Sequence, residues 1–132
     1  MKLGLVVSET YWEEITSKML DWAKKTALKE GCEVIISKVP GSYDMPLAIK
    51  KLLPKVDGVV TLGAVIKGET DHDKMISYSV GKALIDLSLQ FNKPVACGIF
   101  GPKMTYAQAI ARIKRAEKVT LACIQMIRNC KD

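Results

Sequence analysis

The sequence predicts an α/β protein, a three-layer α/β/α sandwich around a four-stranded parallel sheet. Three observations carry that expectation. Apolar runs of strand length alternate with longer stretches of helical periodicity. The strand-like runs are continuous in Val, Leu and Ile, as strands covered on both faces are. Each switch between the two patterns is marked by turn residues, and the connections are long enough for right-handed crossovers.

The first strand is read as Lys2 to Ser8. A helix follows from about Glu13, with Ile15, Met19, Trp22, Ala23 and Thr26 at helical spacing and Gly31 as its stop. The second strand is Cys32 to Val39, closed by Pro40-Gly41, and a short helix runs from Asp44 to Leu53 with Pro46 in its first turn. The third strand, Gly58 to Leu62, empties into a loop from Ala64 to His72. A third helix starts near Thr70, whose hydroxyl can cap it, with Asp71 and Asp73 in the positive first turn. It reaches about Phe91 and carries Met75, Ile76, Val80, Ala83, Leu84 and Leu87 on one face. The fourth strand is Val95 to Phe100, and after Gly101-Pro102 the run Thr105-Tyr106-Ala107-Gln108 is a capping box opening the last helical region. From Val119 to Ile127 that region is apolar nearly all round, more than one sheet face covers, so a partner subunit is expected against it.

With 132 residues, the chain fits one domain, 1–132, with a core of its own. Its 48% hydrophobic and 26% charged residues exclude a disordered tail or a fibre. No apolar run reaches the roughly 18 to 20 residues of a membrane span, and the opening Met1-Lys2-Leu3-Gly4-Leu5-Val6-Val7 reads as a strand, not a signal peptide. Cys32, Cys97, Cys123 and Cys130 form no Cys-x-x-Cys pair, and with one histidine in the chain no zinc site is expected. The cysteines read as buried thiols of a cytoplasmic protein. A net charge of +6 is spread among acids without a basic block, which favours anionic small molecules over nucleic acid.

In parallel sheets ligands sit outside the carboxyl ends of the strands, near the switch in strand order. The loops to search are therefore Glu9 to Glu13, Pro40 to Met45, Ala64 to His72 and Gly101 to Thr105. The third is the most informative. A strand ending in Gly63, passing Gly68 and entering a helix capped by Thr70 presents free backbone N–H groups and a positive dipole end, an arrangement that binds phosphate or carboxylate. It matches neither the dinucleotide fingerprint nor the P-loop, because Glu69 and Thr70 follow Gly68. A well-capped helix alone would explain the same residues. His72 falls at the second helical position beside this turn, placed for proton transfer. Arg112, Lys114, Arg115 and Lys118 are either a solvated cationic face or a means of reaching phosphate across an interface. Tyr11 and Trp12 follow the first strand, where they shield the core or stack on a planar heterocycle.

Two segments are more specific. Val39-Pro40-Gly41-Ser42-Tyr43-Asp44-Met45-Pro46 resembles the V-P-G-[AS]-[FY]-[ED]-[ILM]-P motif of the 6,7-dimethyl-8-ribityllumazine synthase family. Leu62 to His72 resembles its L-G-x-V-I-[RK]-G-x-T-x-H motif, and Lys93-Pro94-Val95, Gly98-Ile99 and Gln108-Ala109 with Arg112 extend the likeness over nearly the whole chain, most like archaeal members. The resemblance implies a flavodoxin-like subunit without metal or organic cofactor, with sites between neighbours of a pentamer. It also implies condensation of 5-amino-6-ribitylaminopyrimidinedione with 3,4-dihydroxy-2-butanone 4-phosphate, releasing phosphate and water, in riboflavin synthesis. It makes His72 the proton-transfer residue and gives Gly68, Glu69 and Thr70 the phosphate, with Arg112 reaching it from the adjacent subunit. Ser42, Tyr43 and Asp44 would meet the ribityl chain, and Ala64, Val65, Ile66 and Lys67 the pyrimidine.

Three departures accompany it. The family's aromatic-Asn pair after the first strand is represented by Tyr11 and Trp12, with Trp12 the expected aromatic and no Asn. Cys97 stands where many members carry a Phe that lids the neighbour's site, and the family's lysine on the last helix corresponds to Lys118 or Lys114. Two rivals remain: a paralogous archaeal-type riboflavin synthase, which usually lacks the Val65-to-His72 run, and a non-catalytic lumazine or flavin carrier. The short stretch before the first strand favours a pentamer or decamer over a sixty-subunit shell.

Overall fold

A computed structural model describes residues 1–131. Four parallel strands, β1 (Lys2–Ser8), β2 (Glu33–Val39), β3 (Gly58–Ile66) and β4 (Val95–Met104), lie in the order β2-β1-β3-β4. Five helices connect or follow them: α1 (Ser17–Lys29), α2 (Met45–Leu52), α3 (His72–Phe91), α4 (Tyr106–Ala111) and α5 (Arg115–Asn129). The three-layer arrangement expected from the alternating pattern is the one observed, and it is flavodoxin-like, as the family resemblance implies.

The two faces of the sheet are divided by the pleat, since successive side chains point to opposite sides. Leu3, Leu5 and Val7 of β1 join Val60 and Leu62 of β3 under α1 and α5, where Met19, Ala23, Cys123 and Ile124 complete one core. Val6 and Val59 face the other way, into Met45, Ile49 and Leu53 and the Val80, Leu84 and Leu87 stripe of α3. Burial of these side chains is the main driving force for the fold, about 1.5–3 kcal/mol for each large apolar residue.

Two strands run further than expected. β3 continues through Gly63-Ala64-Val65 to Ile66, and β4 continues through Gly101-Pro102 to Met104. The glycine-proline pair does not stop β4 because it lies in a bulge: Ala64 pairs with Phe100 and Ile66 with Met104, so Val65 alone faces Gly101, Pro102 and Lys103. Gly101 sits at φ +120° there, with a cis peptide to Pro102, and Lys103 takes φ +61°.

α3 begins two residues later than expected, at His72, because Thr70 lies in the turn and serves only through its hydroxyl, which accepts from His72 N–H at 3.3 Å. Met75 is exposed, not core-facing, since the sheet covers only the Ile76-Val80-Leu84-Leu87 side. Of the four cysteines expected to be buried, Cys32 and Cys123 are; Cys97 and Cys130 are exposed, on the open edge strand β4 and just past α5. Burial pushes the Cys123 thiol up to about 12, and its S–H donates to Val59 O at 3.5 Å. No helix among the described residues is long and apolar enough to cross a membrane.

Candidate functional site

The strand order changes direction between β1 and β3, and the carboxyl ends of those strands open onto a cleft of about 380 Å³. Its walls come from three loops. The loop after β1 supplies Thr10 and Tyr11, that after β2 supplies Gly41, Ser42 and Tyr43, and the end of β3 with the following turn supplies Ala64, Val65, Ile66, Gly68 and Thr70. The first turns of α3 close it with His72, Asp73 and Ile76.

Hydrogen bonds chain these loops together. Glu9 N–H donates to Val39 O at 2.8 Å and the Thr10 hydroxyl to Pro40 O at 2.9 Å, joining the first loop to the second. Gly41 N–H donates to the Asp44 carboxylate at 3.0 Å, which closes a short 3-10 turn over Ser42–Asp44. Ser42 is buried against β3, where Gly63 makes room for it: a Cβ on Gly63 would stand 2.6 Å from the Ser42 hydroxyl oxygen. The glycine of one motif and the small residue of the other are thus a single steric requirement. Lys67 N–H donates to Met104 O at 2.9 Å, extending the pairing of β3 and β4 to the lip of the cleft.

Asp73 fixes the fourth loop. Its carboxylate is buried and accepts from Lys103 N–H at 2.9 Å, tying the bulge of β4 to the first turn of α3. That backbone donor, aided by the amides of Lys74 and Asp73 itself, holds the Asp73 carboxyl below its ordinary value against the opposing effect of burial. The sequence pattern accounts for an acid in a first helical turn; its partner thirty residues away has no local signature.

Lys67 to Asp71 form the turn between β3 and α3. His72 is the first helical residue, exposed and lining the cleft beside Thr70 and Gly68. A helix start of this kind offers N–H donors and positive potential to an anion, and the imidazole stands next to them. Val65 and Ile66 give an apolar floor and Tyr11 and Tyr43 aromatic edges, which suits a planar ring with a polar tail.

Of the two aromatics after β1, Tyr11 is the one that lines the cleft. It takes a left-handed conformation, φ 59° and ψ 37°, before a π-helical turn, Trp12–Thr16. Trp12 turns the other way: it packs on the core beneath α1 and carries the Lys38 ammonium 4.2 Å from its ring centroid. Thr10, Gly41, Asp73 and Ile76 also line the cleft; Ile76 and Asp73 were legible only as a core position and a helix-dipole acid.

The other candidate residues lie outside this chain's cleft lining. Lys67 and Glu69 are exposed in the turn, and Asp44 serves the Gly41 amide. Arg112 follows α4, with its guanidinium donating to Gln108 O at 3.1 Å. Lys114 lies over Trp22 at 5.2 Å and Lys118 is exposed on α5. Cys97 lines a second, apolar hollow between β4 and α5, with Pro94, Val119, Ala122 and Met126.

Comparison with known proteins gives one family. The model of the 6,7-dimethyl-8-ribityllumazine synthase family matches residues 1–131. A 6,7-dimethyl-8-ribityllumazine synthase of Picrophilus torridus is 52% identical over 135 residues, spanning 100% of this chain and 98% of its own length. Proteins of the same name from Saccharolobus solfataricus and Metallosphaera sedula are each 46% identical and cover 99% and 100% of the chain, with 87% and 89% of their own lengths. A parallel sheet whose switch-point cleft unites Ser42 and Tyr43 of one motif with Val65 to His72 of the other, in a chain matched from end to end, belongs to the 6,7-dimethyl-8-ribityllumazine synthase family.

Proposed function

We propose that this chain is a 6,7-dimethyl-8-ribityllumazine synthase, a transferase of riboflavin biosynthesis that condenses 5-amino-6-ribitylaminopyrimidinedione with 3,4-dihydroxy-2-butanone 4-phosphate and releases phosphate and water. The observation that carries the proposal is the meeting of His72, Thr70 and Gly68 with an apolar, aromatic-edged cleft. The pyrimidine's own amine is the nucleophile toward the ketose carbonyl, so no activated Ser, Cys or Lys is needed. The work left to the protein is holding two substrates together, moving protons and stabilising the departing phosphate.

In this reading His72 transfers protons to and from the condensing groups, while the N–H groups of the Gly68-Glu69-Thr70 turn receive the phosphate. The ribityl chain lies along Ser42, Tyr43 and Asp44, and the ring rests on Ala64, Val65, Ile66 and the stem of Lys67 with Tyr11 at its edge. Arg112, Cys97 and Lys118 or Lys114 serve the site of an adjacent subunit.

Two different apolar surfaces support a ring. One is the stripe Met75, Tyr78, Ile85 and Leu89 on α3 with Leu47 on α2; the other is the hollow beside Cys97 with Val119, Ala122 and exposed Met126 on α5. Leu89 is 71% exposed. Unlike patches that pair head to tail close into a ring when the rotation between neighbours closes, and we read the assembly as a pentamer or a multiple of pentamers. The free thiols fit a reducing cytoplasm, and the family match over 1–131 fits one domain.

The test is direct. Purified protein with both substrates should yield fluorescent lumazine and free phosphate, and no product above the spontaneous background would overturn the assignment. His72→Ala should slow turnover on the order of a hundredfold, whereas a mere carrier would bind the product as before with no rate to lose. Arg112→Ala should raise KM for the ketose phosphate far more than for the pyrimidine.

A further inference from the structure

The aromatic edge of the cleft is in contact with a residue outside it. The Tyr11 backbone is firmly set: its carbonyl accepts from both Ile15 N–H and Thr16 N–H at 3.0 Å, in a conformation few bulky residues adopt. Those bonds fix the main chain but not the side-chain torsions, and the ring is 37% exposed. What meets the ring is Tyr106, edge-on, with centroids 5.9 Å apart and planes inclined at 63°.

Tyr106 is suited to act as a fixed post. It is the first residue of α4, where the backbone is locked by reciprocal capping: Gln108 N–H donates to the Thr105 hydroxyl at 3.1 Å and Thr105 N–H to the Gln108 side chain at 2.9 Å. Partial desolvation where it packs, followed by the negative charge of Glu14, holds its phenol above the ordinary value. Tyr106 does not line the cleft itself; whatever it does there, it does through Tyr11.

We propose that Tyr106 is a positioning residue that sets the Tyr11 ring at the angle required to hold the planar pyrimidine substrate. The inference rests on the synthase reading and adds a specificity determinant on an element far from the two motifs. The edge-to-face pair selects one orientation of Tyr11 among those its exposure permits, and the ring then meets the heterocycle without a further ordering cost on binding.

The experiment compares Tyr106→Leu, Tyr106→Phe, Tyr11→Leu and the Tyr11→Leu/Tyr106→Leu pair in the full assembled protein, with KM measured separately for the two substrates. Loss of one aromatic pair corresponds to roughly two- to tenfold. Tyr106→Leu should raise KM for the pyrimidine by that factor and leave KM for the ketose phosphate unchanged. Tyr106→Phe should behave as wild type, and in the Tyr11→Leu background Tyr106→Leu should add nothing. Tyr106 is 40% exposed, so the variants should fold and assemble; fluorescence titration with the lumazine product gives the same comparison without turnover. Equal rises for both substrates, a Phe variant as impaired as Leu, or effects that multiply in the double variant would each overturn the positioning role. Wild-type protein that turns over normally alongside an unaltered Tyr106→Leu sinks this inference alone; wild-type protein that makes no lumazine sinks the functional reading and this inference with it.

Discussion

Gly101→Ala isolates what the bulge in β4 demands of its sequence. The glycine sits at φ +120°, a region that L side chains rarely adopt, and a Cβ built there would lie 2.5 Å from the Val65 carbonyl oxygen. That is 0.9 Å inside the 3.4 Å at which ordinary contact begins, and the atom it strikes is main chain that cannot rotate away. Backbone strain of this kind costs about 1–3 kcal/mol and a forced shift in a packed region about 1–3 kcal/mol more, so about 4 kcal/mol is expected. With a urea m-value of about 2 kcal/mol per molar, the unfolding midpoint should fall by about 2 M. Urea titrations followed by far-UV circular dichroism, at matched protein concentration because assembly contributes to stability, make the measurement. The same methyl on Gly81 in α3, where it finds open space within the chain, should stabilise by about 0.5–1 kcal/mol. A Gly101→Ala midpoint within about 0.3 M of wild type, at unchanged slope, would refute the steric argument. Because Val65 lines the cleft, its displacement should also weaken substrate binding.

Two further outcomes follow from groups near the cleft. Asp73, held below its ordinary 3.8 chiefly by Lys103 N–H, contributes stability that is present above pH 3.8 and lost as the pH falls through its still lower folded value. Asp73→Asn should therefore show a flatter acid limb of midpoint against pH than wild type between pH 5 and 3; parallel limbs would contradict the role given to the carboxylate. The Thr16 hydroxyl, buried in the π-helical turn, has no hydrogen-bond partner among the described residues. Thr16→Val should raise stability by about 1 kcal/mol, read from the same urea midpoint, and a loss of stability would show that the hydroxyl is satisfied after all.

The sequence made the ends of β1 and β2 legible to within a residue because their apolar runs stop at polar or Pro-Gly signals. It did not reveal how far β3 and β4 extend. Gly63 and Gly101-Pro102 look like breaks, and only the pairing of the two strands shows that one glycine makes way for Ser42 and the other turns a bulge. Within the cleft, the motif residues from Ser42 to His72 could be found by eye because each lies in a contiguous segment. Which of Tyr11 and Trp12 faces inward could not: it depends on a left-handed Tyr11 and a π-helical turn, and neither leaves a mark in residue types. Met75 failed for a related reason, since helical periodicity gives a face but not how much of it the sheet reaches.

The loops at the mouth of the cleft are joined largely through main-chain groups: Glu9 to Val39, the Thr10 hydroxyl to the carbonyl of Pro40, Lys67 to Met104, and the amide of Lys103 to Asp73. Peptide groups are common to every residue, so the frame survives replacement of most side chains that project from it. Tyr43 and Ile76 line the same opening without taking part in those bonds, so exchanging them should change the shape of the cleft while Thr10 and Asp73 keep its loops joined.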